Sequence, residues 1–66
     1  MIDILGKKYL TDKEASDRYG YSQRWFIKQR QLKKGPKYFQ LKGGKGRVLY
    51  PLIETDKWFK DNLEEK

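Results

Sequence analysis

The chain contains no cysteine and no histidine. The first absence removes disulfides and thiolate ligands. The second removes the commonest zinc ligand and the usual general base, so metal and nucleophilic chemistry have little to work with. Long apolar runs are also missing: "MIDILGKKYL" has too short a run for a signal peptide, and no stretch approaches the roughly 18 apolar residues of a membrane span. The composition therefore predicts a soluble, cytoplasmic protein with no cofactor. At 66 residues a chain buries only about 60% of its unfolded surface, which leaves a small core and no room for an enzyme cleft of ordinary depth. One domain over 1–66 is expected, with 1–8 and 64–66 frayed.

Acidic residues are missing from the whole middle of the chain. Between Asp17 and Glu54 there is none, while Arg18, Arg24, Lys28, Arg30, Lys33, Lys34, Lys37, Lys42, Lys45 and Arg47 supply ten positive charges. The other six basic residues and all nine acids lie in the flanks, a net of minus three, so the middle carries the whole +7 of the chain. Such asymmetry is the footprint of a surface that meets a polyanion; a solvated basic face is the plainer reading. An anionic membrane fits less well, because Pro36 and the three glycines of "GGKG" interrupt the basic segment and prevent one long amphipathic helix.

Local signals set the order of elements. "TDKE" at Thr11 to Glu14 has capping-box spacing and predicts a first helix from about Asp12 to Tyr19, ended by Gly20. Two residues later Ser22 can cap a second helix through "QRWFIKQRQLKK", stopped by Gly35 and Pro36. A short Gly-containing turn between two helices is helix-turn-helix spacing. "KYFQLK" and "RVLY" around "GGKG" read as a hairpin, closed by Pro51, and "LIETDKWFKDNL" as a third helix with Ile53, Trp58, Phe59 and Leu63 available for the core. The expected fold class is α+β: two N-terminal helices with helix-turn-helix spacing, a β-hairpin and a C-terminal helix.

Wound at 100° per residue, the second helix has two sides. Trp25, Gln29 and Leu32, with Phe26 at the edge, are expected to pack on the first helix; Gln23, Arg24, Ile27, Lys28, Gln31 and Lys34 fall on the other side. Gln and Arg pair bidentately with adenine and guanine edges, and an apolar group among them suits a thymine methyl. Ser22, Gln23, Arg24, Ile27, Lys28 and Gln31 are therefore candidate base-reading residues. Tyr21, Lys34, Lys42, Lys45 and Arg47 are candidates for phosphate contacts beside the helix and on the hairpin.

The stretch "LTDKEASDRYGYSQRWFIKQR", followed by "GP", "VLYP" and Trp58, resembles the small winged helix-turn-helix proteins of the excisionase and AlpA type, relatives of the MerR DNA-binding domain. The resemblance covers roughly Tyr9 to Leu63. It implies a second helix in the major groove, a hairpin wing on the backbone or minor groove, and service to a mobile element or prophage. That service is either excision beside an integrase or recombinase, or control of transcription. Gln29 and Thr55 depart from the pattern, standing where a small or apolar residue and a leucine are usual.

Aromatic residues interleaved with basic ones can also form stacking platforms for single strands, although a domain this small needs most of them in its core. "GGKG" lacks the Lys-Ser/Thr of a phosphate-cradling loop and does not lead from a strand into a helix, so no nucleotide site is expected. Three functions follow. The first is sequence-specific double-stranded DNA binding, by a recombination directionality factor or small transcriptional regulator. The second is a terminase small-subunit-like packaging domain, and the third an RNA or single-strand binder, for which aromatics exposed on the sheet would discriminate. No enzyme activity is expected. One recognition helix reads too short a site to act alone, so a monomer in solution is expected to assemble cooperatively on DNA, head to tail on direct repeats.

Overall fold

The computed structural model describes residues 1–41 and 47–63. Among the described residues, three helices accompany one four-stranded antiparallel sheet, a small α+β arrangement. In chain order the elements are β1 (Ile2–Ile4), β2 (Lys7–Leu10), α1 (Asp12–Tyr19), α2 (Gln23–Gln31), β3 (Phe39–Gln40), β4 (Val48–Pro51) and α3 (Leu52–Asp61). The sheet order is β1-β2-β4-β3, with Leu10 opposite Tyr50, Tyr9 opposite Pro51 and Phe39 opposite Leu49.

Residues 1–8, expected to fray, instead form most of a hairpin, with Ile2 paired to Tyr9 and Ile4 to Lys7. Leu5 and Gly6 make its tight turn with φ of 51° and 83°, the left-handed pair that a two-residue hairpin loop requires. Two helices are thus preceded by two strands. The expected fraying of 64–66 falls outside the described residues.

Around α1 the capping signals act as the sequence implies. The Thr11 hydroxyl accepts from the Glu14 N–H at 3.2 Å, and the Glu14 carboxylate accepts from the Thr11 N–H at 3.1 Å. Gly20, at φ 80°, donates its N–H to the Ser16 carbonyl. Ser22 caps α2 by accepting from the Trp25 N–H at 3.1 Å.

The end of α2 comes earlier than Gly35. Lys33 turns left-handed at φ 55°; its N–H donates to the Arg30 carbonyl, and that of Lys34 to the Gln29 carbonyl. This is a Schellman ending with lysine where glycine is usual. Leu32 consequently leaves the helix and is 52% exposed instead of packed on α1. Phe26, expected at the edge, is fully buried at the centre. Gly35 suits its φ of 88°, where any other residue is strained, and a Cβ there would also press on the Gln29 Cβ at 3.0 Å.

Leu10, Ala15, Phe26 and Tyr50 form the core, with Tyr19, Trp25, Val48, Leu52 and Phe59 packed against it. In α3 the inward stripe is Leu52, Thr55 and Phe59, the i, i+3, i+7 series of a helix begun at Leu52. Ile53 and Leu63, expected in the core, lie off that stripe or beyond the helix and are each 77% exposed. Thr55 is fully buried, and its Oγ1 has no hydrogen-bond partner among the described residues.

A buried hydroxyl without a partner carries its desolvation cost uncompensated. Thr55→Val, which keeps the shape and removes the polar atom, should stabilise the fold by about 1 kcal/mol. Urea unfolding with a raised midpoint and unchanged slope is the expected result; a lowered midpoint would show that the hydroxyl is satisfied in solution.

Candidate nucleic-acid interface

The outer side of α2 carries the residues that helical phase assigns to it. Gln23, Arg24, Ile27, Lys28 and Gln31 are all exposed, and so is Lys34 just beyond the helix. Ile27 is 42% exposed. The helix is fixed from beneath by Phe26 in the core and by Trp25, which meets Phe26 edge to face at 4.9 Å. Ser22 is exposed at the N-terminus with its oxygen engaged in the cap, which leaves the hydroxyl hydrogen free to donate outward.

Tyr21 is 45% exposed, and its ring stacks on Trp25 at 4.3 Å between centroids, with Phe59 at 5.8 Å. The residue continues the aromatic interior to the surface. Arg47 is exposed, and its carbonyl accepts from the Leu41 N–H at 3.1 Å across the base of the β3–β4 hairpin. Lys42 and Lys45 lie outside the described residues.

Among the described residues, two midchain cations are engaged by acids from the flanks. Arg30 donates to both carboxylate oxygens of Asp12, at 2.8 and 3.3 Å, and to the Tyr50 hydroxyl at 2.6 Å. Burial alone would lower the Arg30 guanidinium, but the hydrogen bonds to Asp12 and Tyr50 outweigh it and hold it above its ordinary value. Arg18 donates to Asp56 through two nitrogens, at 2.9 and 2.8 Å, and the Tyr19 hydroxyl donates to the same carboxylate at 2.5 Å. By contrast, Arg24, Lys28, Lys33, Lys34, Lys37 and Arg47 are exposed and take part in none of the ion pairs among the described residues. These six are the midchain cations left open to a partner among the described residues.

Sequence reasoning placed most aromatics in the core, and Tyr50 is indeed buried while Tyr9, Tyr19, Trp25 and Trp58 are half-buried. Tyr38 and Phe39 differ, at 39% and 45% exposed on and beside β3. Lys37 Nζ lies 5.2 Å from the Phe39 ring centroid, and Tyr9 meets that ring edge-on at 6.1 Å. The edge position of β3, which no local pattern reports, leaves these rings uncovered.

Comparison of the chain with protein-family models, curated proteins and solved structures finds no match.

The two arginine classes should separate by stability. Arg30→Ala leaves Asp12 and the Tyr50 hydroxyl without their partner and should cost about 2 kcal/mol. Arg24→Ala, on the open face, should stay within about 0.5 kcal/mol of the parent in the same urea experiment.

Asp56 supplies a pH test. The hydrogen bond from Arg18 holds its carboxyl below the ordinary 3.8, against the opposing pull of burial and with help from Tyr19. A carboxyl lowered by folding adds stability above its unfolded value, and that stability is lost as pH falls through the folded one. The stability gap between the parent and Asp56→Asn should therefore be full near pH 7 and shrink as the solution is acidified below 3.8. At the other end, burial first and then Asp56 raise the Tyr19 hydroxyl above its ordinary 10.0, so its share persists below that pH and fades above it.

Proposed function

We propose that this chain is a sequence-specific double-stranded DNA-binding protein of the winged helix-turn-helix kind, with α2 as the recognition helix and the β3–β4 hairpin as the wing. The observation that carries the reading is the open side of α2, where Gln23, Arg24, Lys28 and Gln31 surround a half-exposed Ile27 with no acid among them. Amide and guanidinium groups match purine edges in the major groove, and the isoleucine matches a thymine methyl. A helix of nine residues fits that groove lengthwise.

Phosphate contacts would come from Lys34 and Tyr21 beside the helix and from Lys42, Lys45 and Arg47 on the wing. These fix register without reading sequence. The biological role that best suits a small regulator of this chemistry is an excisionase-type recombination directionality factor or a transcriptional regulator of a mobile element. It would be monomeric when free and cooperative on DNA.

A second reading has one observation in its favour. Phe39 is exposed beside Lys37 on the sheet, as a single-strand binder would require. Tyr38 is open as well, but it precedes the strand with Arg30 5.7 Å from its ring centroid, and Tyr9 presents its edge to Phe39, so the two rings fall short of a free stacking platform.

Arg24→Ala should lose about 1 to 3 kcal/mol on the preferred duplex site and relax selectivity at one base pair in a randomised-site selection. Lys45→Ala and Arg47→Ala should weaken specific and nonspecific duplexes alike and lower the slope of log affinity against log salt by about 0.9 per lost phosphate contact. Unchanged selectivity in the first variant would remove α2 as the reading element. Tighter binding of single strands than of duplex, lost in Phe39→Ala, would favour the second reading.

A further inference from the structure

Leu5 is 99% exposed, more than any other large apolar side chain among the described residues, and it sits at φ 51°. That turn position favours Asn, Asp or Gly, and a leucine there is strained while its side chain touches almost nothing. The next residue, Gly6, helps to line a concavity of about 260 Å³ together with Lys7, Lys8, Leu52, Ile53 and Glu54. Ile53, at the rim, is 77% exposed. An apolar knob thus stands beside an apolar hollow large enough for a leucine side chain. The rim carries both signs, Lys7 and Lys8 against Glu54.

From this we infer that the Leu5–Ile53 patch is a contact for a second copy of the chain, related by a two-fold axis. Knob and hollow are adjacent on one surface, so a two-fold rotation lets each Leu5 enter the other copy's hollow. With both signs on one rim, the pair can set Lys7 and Lys8 of each copy against Glu54 of the other. A patch of fewer than ten residues is well below the roughly 20 to 30 a side of a stable interface. The copies therefore remain monomeric when dilute and associate only in the millimolar range, or where something else concentrates them.

Topology fixes which ends meet. The β1–β2 turn lies beyond the C-terminal end of β4, since Tyr9 pairs with Pro51 and Leu10 with Tyr50. The β3–β4 connection leaves from the N-terminal end of β4. A pair joined at Leu5 therefore holds its two β3–β4 hairpins at opposite ends.

The test needs no DNA, so its outcome is independent of the proposed function. Methyl and amide NMR spectra of the full chain are recorded as its concentration rises from about 0.05 to about 2 mM, the range where a weak contact populates. Resonances of Leu5, Gly6, Ile53 and Glu54 should move with concentration, while those of Ile27 and Leu63, also exposed, should not. Leu5→Asn relieves the strained turn and so preserves the fold; it should weaken the association about tenfold or more, leaving Ile53 nearly concentration-independent. Glu54→Lys should weaken association, and mixing it with Lys7→Glu/Lys8→Glu should restore it between the unlike chains. Spectra that do not change with concentration would overturn the proposal, as would shifts centred on Ile27 or Leu63 or an Ile53 response that survives Leu5→Asn. Each of these outcomes would leave the patch to an unlike partner.

Discussion

One guanidinium joins three parts of the chain. Arg30, carried by α2, reaches Asp12 in the first turn of α1 and the Tyr50 hydroxyl on β4, and lies 5.7 Å from the Tyr38 ring centroid. Its planar fork suits this task because several donors are held in fixed relative directions. The orientation of α2 against both its preceding helix and the sheet is thereby set by directional bonds as well as by packing. The exposed side of α2 inherits that rigidity: the face that would meet a duplex stands on a helix that cannot roll without breaking charge-assisted bonds.

Beneath the bonds is an interior built from rings. Tyr19 stacks on Phe59 at 4.1 Å, Tyr21 on Trp25 at 4.3 Å, and Phe26 lies within 6.2 Å of Phe59 and 5.3 Å of Tyr50. Aromatic side chains bury the most area per residue, which is how a chain of this size offsets its conformational entropy. The same stack explains how α3 is held to α1. Phe59 lies against Tyr19, while Asp56, one turn earlier, takes Arg18 and the Tyr19 hydroxyl. Two short helices are thus clasped by one apolar and one polar contact.

How far the sequence reveals this depends on the range of each signal. The start of α1, its glycine ending and the Ser22 cap are local hydrogen-bond patterns, and all are legible from a few adjacent letters. The end of α2 is not, because Lys33 adopts a conformation for which glycine is the usual marker. Residues 5 and 6 hide a hairpin for the same reason: "LG" stands where "NG" or "DG" would announce one. In α3 the apolar letters suggest one stripe and the starting residue selects another, which buries Thr55 and exposes Ile53. The open side of α2 follows from helical phase alone. The pairing of Arg18 and Arg30 with Asp56 and Asp12 does not, since those acids are brought in from the flanks by tertiary packing.

The pairing of β2 with β4 has a kinetic consequence. Leu10 opposite Tyr50 and Tyr9 opposite Pro51 close a loop that contains α1, α2 and the β3–β4 hairpin. The entropy of that closure is lost before any contact across the seam compensates for it, whereas α1, α2 and the two hairpins involve only neighbours in sequence. Folding is therefore expected to wait on the central seam, with the local elements flickering beforehand. Phe26 and Arg30 reach Tyr50 only once the seam has formed, so the basic face acquires its final shape in the same step that sets the folding rate.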